Sequence, residues 1–264
     1  MRSLFLCWHM ATASIRGQMQ YRASFVIGVL SGMFFQGLGI IMIWAILDTF
    51  SVIGDWSFGE IAMLYGMRLT AHGIYLIFFS SMYSIDDLVR EGGFDRLLVR
   101  PIHPILQLMF TDFRITVLGD LAGGLAILIA AVNLVDVHWT ATNTALIVLT
   151  VIGGAMIDGA FQMLPASLTF RYIESMPARV IFDDMFSRFG NYPVDIFGSI
   201  ATRLLTFLIP LAFVAWLPVS LLLDKPTFLP PWVGWLSLPV GVVAMAVALW
   251  VFVRSSRAYQ SSGS

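Results

Sequence analysis

Six stretches of this chain are long and apolar enough to cross a bilayer, each needing about 20 residues to span about 30 Å of hydrocarbon. They lie near Phe25–Leu47, Ile61–Met82, Ile115–Val135, Thr144–Phe170, Ser199–Leu223 and Trp232–Val253. Backbone polar groups find no water in lipid, so each span must be a helix. The expected fold is an all-α integral membrane protein of six transmembrane helices, one domain over residues 1–264. The fourth and fifth stretches are long enough to tilt or break. Composition agrees: 58% of residues are apolar and 12% charged, with a mean hydropathy of +0.85. A soluble chain carries about 25% charged residues.

Arginine sets the expected orientation. Arg2, Arg16 and Arg22 precede the first span, and Arg90, Arg96, Arg100 and Arg114 lie between the second and third. Arg171, Arg179 and Arg188 lie between the fourth and fifth, Arg203 just inside the fifth, and Arg254 and Arg257 after the sixth. The opposite loops hold Asp48, Asp55, Glu60, Asp136, Asp224 and the only lysine, Lys225. Both termini are therefore expected in the cytoplasm. Trp44, Trp56, Trp139, Trp232 and Trp235 fall at the expected outer ends, as an interfacial belt does. Near the N-terminus, Leu4, Trp8, Ala11, Ile15 and Met19 recur at helical spacing, with Arg2, His9, Arg16 and Gln20 off that stripe. Residues 1–22 read as an amphipathic helix in the inner interface rather than a signal peptide.

The longest polar interruption after the first two spans is residues 85–104, Ile-Asp-Asp-Leu-Val-Arg-Glu-Gly-Gly-Phe-Asp-Arg-Leu-Leu-Val-Arg-Pro-Ile-His-Pro. Asp86 and Asp87 favour a helix start. Gly92-Gly93 breaks the helix, and Pro101 and Pro104 end the element. A helix–bend–helix along the cytoplasmic face is expected. The second inner loop, 171–198, mixes Arg171, Glu174, Arg179, Asp183, Asp184, Arg188 and Asp195 with apolar residues. It is expected to form an interfacial helix, with Pro193 leading into the fifth span.

Polar groups also fall inside the spans. Arg68 and His72 lie one turn apart in the second, and Asp158 and Gln162 one turn apart in the fourth. A lone charge at such depth costs at least about 2.5–3.5 kcal/mol. A contact of Asp158 with His72 or Arg68 is therefore expected. It serves helix docking, a proton relay or the wall of a polar path. Ser24, Gly28 and Gly32 in the first span and Gly119 and Gly123 in the third, each set spaced by four, mark close packing faces. Pro210 and Pro218 interrupt the fifth stretch, whose outer end is expected to dip back into the bilayer.

There is no phosphate loop, no His-Glu-x-x-His and no Gly-x-Ser-x-Gly. Four scattered histidines and one cysteine, Cys7, give no metal site and no catalytic constellation. The chain is read as a non-enzyme with no cofactor of its own and no nucleic-acid partner.

The segment Arg90-Glu-Gly-Gly-Phe-Asp-Arg-Leu-Leu-Val-Arg-Pro-Ile-His-Pro104 resembles the EG-x-hydrophobic-D-x-x-L-x-RP-x-x-P segment of bacterial ABC-2-type exporter permeases. Tyr192-Pro-Val-Asp-Ile-Phe197, Ile209-Pro-Leu-Ala-Phe213, Leu217-Pro218 and the tail Tyr259-Gln-Ser-Ser-Gly-Ser264 resemble later segments of one subfamily. The resemblance implies a multi-pass permease of the bacterial cytoplasmic membrane. Its partners would be a second permease, identical or a sister chain, and two cytoplasmic ATPase subunits that carry the ATP and Mg. Substrate would pass between the permeases. By the same resemblance Glu91, Gly92, Gly93, Phe94, Asp95, Arg96, Arg100 and Pro101 belong to a coupling helix, with Phe94 as an apolar knob for the ATPase. Two other readings stand beside it: an ion-coupled transporter using Arg68, His72 and Asp158, and a non-transport membrane scaffold.

Overall fold

The computed structural model describes residues 12, 14–50, 53–111, 117–172 and 174–259. The chain is all-helical, and among the described residues the one β feature is an isolated bridge between Ile53 and Trp56. Of the interfacial helix expected over 1–22, residues 1–11 and 13 lie outside the described set, and 14–19 are helical. The long elements are α1 (Arg22–Phe50) and α2 (Phe58–Phe79). Then come α3 (Ile85–Arg90), α4 (Gly93–Leu98), α5 (Pro104–Thr111) and α6 (Leu118–Val132). The second half holds α7 (Ala141–Ala166), α8 (Thr169–Tyr172), α9 (Met176–Phe189), α10 (Ser199–Arg203), α11 (Trp216–Leu222) and α12 (Ser237–Arg257). Four helical stretches are long and apolar enough to cross a membrane: Arg22–Thr49, Phe58–Arg90, Ala141–Tyr172 and Pro231–Arg257. Leu118–Val132 and Ser199–Leu208 are shorter apolar helices. The third stretch expected from Ile115 is described only from 117 onward.

In lipid the hydrophobic effect does not drive helix against helix, so close backbone approach and buried polar contacts must hold the bundle. Glycine supplies the approach. A Cβ at Gly119 would stand 2.3 Å from the Val29 carbonyl oxygen, so α6 touches α1 backbone to backbone. The opposite side of α6 meets α2, where Gly124 lies on Leu69 and Thr70, and Gly66 lies on Leu128. Likewise a Cβ at Gly241 of α12 would stand 2.4 Å from the Gly153 carbonyl oxygen of α7. The order of contact is thus α1–α6–α2–α7–α12. The expected packing role of Gly32, Gly119 and Gly123 is met, since Gly32 rests on Gly119 and Gly123 on Gln36.

One expectation is corrected. The segment 171–198 does not lie flat at one end as a loop before the fifth span. Its α9 begins beside Asp86, where Arg179 pairs with that carboxylate at 2.9 Å. It then runs antiparallel to α7, placing Phe182 and Phe186 on Phe161 at 5.7 Å each. Gly190 reaches the level of Arg68, and Ile196 packs on Gly54, in the connection between α1 and α2. Residues 176–197 therefore pass from the Asp86 end of the bundle to the Glu60 end.

The stretch expected as the fifth span, Ser199–Leu223, starts and finishes at the Glu60 end. α10 and a wider π turn (Leu204–Leu208) stop at Ile209, which is extended before Pro210. A short 3-10 turn (Leu211–Phe213) packs below Gly190, and Val214 below Gly154. α11 returns to Lys225, which donates to the Asp55 carbonyl at 2.7 Å and pairs with Glu60 at 2.9 Å. The dip expected at the outer end thus takes up the whole stretch, because Pro210 cannot continue the descending helix. A cysteine at Ile196, in a Cys7→Ser background, will react with an impermeant maleimide from the same face of sealed vesicles as one at Asp55. A cysteine at Arg90 will react only from the opposite face.

Candidate functional site

Two groups of polar residues stand out, one at the Asp86 end and one within the bundle. At the Asp86 end, α2 runs through a 3-10 turn (Ser80–Ser84) into α3. The chain then reverses at Gly92, whose φ of 68° is a backbone conformation open to glycine. α4 follows, so the helix–bend–helix expected around Gly92-Gly93 is present. Gln107 of α5 fastens the corner by donating to the carbonyls of Leu97 at 2.8 Å and Ile102 at 2.7 Å.

Phe94 is not a knob. It is 0% exposed and packs against Phe170 at 4.8 Å and Tyr259 at 5.3 Å, with Phe252 beyond Phe170. The α4 helix has one apolar face, and the core of its own chain takes that face. What the corner presents outward is Arg90, Glu91, Arg96, Leu98, Val99, Arg100 and Pro101, with Gly92 and Asp95 half-buried and Gly93 buried. Val99 is 84% exposed. Of the apolar residues that the sequence offers here as surface, Leu98 and Val99 stay exposed while Val89 and Leu97 are buried. Helical spacing from Phe94 puts Val99 on the opposite face but Leu98 near the same one, so only the tertiary packing decides Leu98.

The corner is joined to α9 through Asp86. Its carboxylate accepts from the Ser175 and Met176 backbone N–H groups at 3.0 and 2.8 Å, and from the Ser175 hydroxyl at 2.6 Å. The Thr169 hydroxyl also donates to it. Arg179, buried at 2% exposure, gives one nitrogen to Asp86 at 2.9 Å and another to the Met82 carbonyl. Asp86 had been read only as a helix-start residue, and Arg179 only as a loop cation.

Within the bundle, His72 Nδ1 lies 2.6 Å from Asp158 Oδ2, so His72 and not Arg68 is the partner of Asp158. Gln162 donates to Asp183 of α9 at 3.3 Å. Arg68, 5% exposed, acts electrostatically on Asp183 and touches the backbone near Gly190. All four intramembrane polar residues named from sequence are thus gathered where α2, α7 and α9 meet. Asp183, assigned to a loop from sequence, completes the group. Asp120, near the start of α6, accepts from Gln36 of α1 at 2.8 Å.

Residues 33–263 match the profile of the ABC-2 family transporter proteins. The chain belongs to that family. No curated protein and no solved structure is similar enough to the chain to match it. In this ABC-2 transporter protein the matched region includes both polar groups and leaves out the whole N-terminal amphipathic stretch, 1–22. The family is a membrane component of transport and not itself a catalyst.

Breaking a buried pair from one side leaves an uncompensated charge, at about 3–5 kcal/mol, whereas apolar replacement of both partners is often neutral. His72→Leu and Asp158→Leu singly will each lower the melting temperature of the detergent-solubilised protein. The double variant will recover most of the loss.

Proposed function

We propose that this ABC-2 transporter protein is the permease subunit of an ATP-driven exporter in a bacterial cytoplasmic membrane. The Asp86 end faces the cytoplasm, and six crossings bring both termini there, the fifth being 176–197 rather than 199–223. Arginines Arg90, Arg96, Arg100, Arg254 and Arg257 gather at that end, and the acidic residues Asp55, Glu60, Asp136 and Asp224 at the other, where Arg203, counted from sequence with the cytoplasmic arginines, also lies in a pocket with Asp195. That distribution supports the orientation.

The observation that carries the proposal is the folded corner of α3 and α4 in a chain of this family. Its polar and apolar groups project from the cytoplasmic end while Phe94 and Leu97 root it in the bundle. A corner rooted in this way transmits a push rather than yielding to it. Two cytoplasmic ATPase subunits, which bind the ATP and Mg, would dock here. Leu98 and Val99 would supply the apolar contact, flanked by Glu91, Arg96 and Arg100.

A second permease, identical or a sister chain, is the other partner. α1 turns Ile27, Leu30, Phe34 and Leu38 away from the bundle, a face open to lipid or to that chain. α9 carries the Asp184–Arg188 pair on its outer side, with side chains 56% and 74% exposed. His72 lies about 21 Å along α2 from Phe58, at 1.5 Å per residue, and Asp183 sits near it. An exposed ion pair close to that depth is costly in hydrocarbon, so it favours a water-filled path between two permeases. The His72–Asp158 contact is read as helix docking, since both side chains are turned inward between α2 and α7.

A tagged permease expressed with its operon-neighbouring ATPase will retain that subunit on purification. Val99→Asp will cut retention at least tenfold while the permease stays folded. Phe94→Ala will lower stability by about 3–5 kcal/mol, as large-to-small core changes do. Full retention by Val99→Asp would remove the corner as the docking site.

A further inference from the structure

Asp86 holds more partners than any other carboxylate among the described residues, and they all come from the far side of a helix junction. Thr169 opens α8, Ser175 and Met176 open α9, and Arg179 closes its first turn. Asp86 itself opens α3, one turn before the exposed corner. Arg179 spans the joint a second time by donating to the Met82 carbonyl in the turn before α3. The start of α9 is thereby fixed to the root of the corner by five hydrogen bonds, one of them an ion pair, and Thr169 of α8 adds another.

Downstream, α9 is a poor lipid helix. It carries Asp183, Asp184 and Arg188, and its far end reaches Arg68 and then Gly54. Among the described residues no hydrogen-bonded cluster of this size ties the corner to α1 or α6. Besides α2 and the aromatic packing of Phe94 on α8 and α12, a displacement of the corner has a hydrogen-bonded route into the bundle, and that route is α9.

We infer that Asp86 and Arg179 are positioning residues that make the corner and α9 move as one body, so that a push from the ATPase shifts the charged face of α9. This rests on the permease reading above. The carboxylate is needed because a single group must accept from the Ser175 hydroxyl, two backbone N–H groups and a guanidinium at once, with the Thr169 hydroxyl shared between it and Ser175. Only an ionised carboxylate has acceptor sites enough. Arg179 is needed because a planar fork reaches two acceptors in fixed directions, which a lysine cannot do.

The test uses the full permease with its ATPase in proteoliposomes, a Cys7→Ser background and a nitroxide on a cysteine at position 188. In the otherwise unaltered protein, MgATP with vanadate will shift the label-to-label distance between the two permeases. Asp86→Asn and Arg179→Lys will retain the ATPase subunit and its hydrolysis, yet will lose most of that shift. Hydrogen exchange supplies an arm independent of the ATPase. In Asp86→Asn, exchange over residues 176–189 will rise at least tenfold, with that of α2 and α7 unchanged. Loss of the ATPase from the unaltered protein would overturn the permease reading, and the exchange arm would still decide the joint. An undiminished distance shift in folded, ATPase-bound Asp86→Asn, or unchanged exchange in α9, would overturn the joint itself. Global rise of exchange in every helix would reduce Asp86 to a stability residue and overturn it equally. Ser175→Ala, which removes a neutral donor and leaves the ion pair, will keep the shift.

Discussion

Helices in lipid must be held together without help from the hydrophobic effect, and this chain meets that constraint by bringing backbones into contact. Gly119 against Val29, Gly66 against Leu128 and Gly241 against Gly153 set interhelix distances that no larger residue would allow. Dispersion forces grow steeply at such range, and each contact fixes a neighbour's position along the helix axis. The order α1–α6–α2–α7–α12 follows from which glycine faces which helix. With that order fixed, His72 and Asp158 stand opposite each other, and one oxygen of the Asp158 carboxylate has its partner on α2.

The same frame explains how a helix as polar as α9 can occupy the bundle. Met176–Phe189 carries two arginines and two aspartates in 14 residues. Arg179 is satisfied by Asp86 and the Met82 carbonyl, and Asp183 by Gln162 with Arg68 nearby. Phe182 and Phe186 turn the apolar side toward Phe161. Only Asp184 and Arg188 remain outside, paired with each other at 2.7 Å. Each inward charge has its partner on another helix, so the helix is stable in this place and nowhere else in the chain.

The corner at the Asp86 end shows a related division of labour. Its apolar residues are split between anchoring and presentation. Phe94 joins an aromatic group with Phe170, Phe252 and Tyr259, while Leu98 and Val99 stay outside. Tyr259 opens the tail motif noted in the sequence; the rest of that motif lies outside the described residues. Its first residue serves to close the core over Phe94.

Sequence alone determined the helical class, the four of its six expected spans that are long apolar helices, the break at Gly92-Gly93 and the polar residues that must find partners in lipid. These follow from local rules: hydropathy over a window, glycine and proline conformation, and the cost of an unpaired charge. Tertiary structure alone decided which segment between α7 and α12 runs the length of the bundle. A hydropathy window ranks Ser199–Leu223 above 176–197, because it counts charges without knowing that Asp86, Gln162 and Met82 will satisfy them. It likewise decided that Phe94 faces inward and that Asp86 receives Arg179, since periodicity gives a helix its faces but not the neighbour each face will meet.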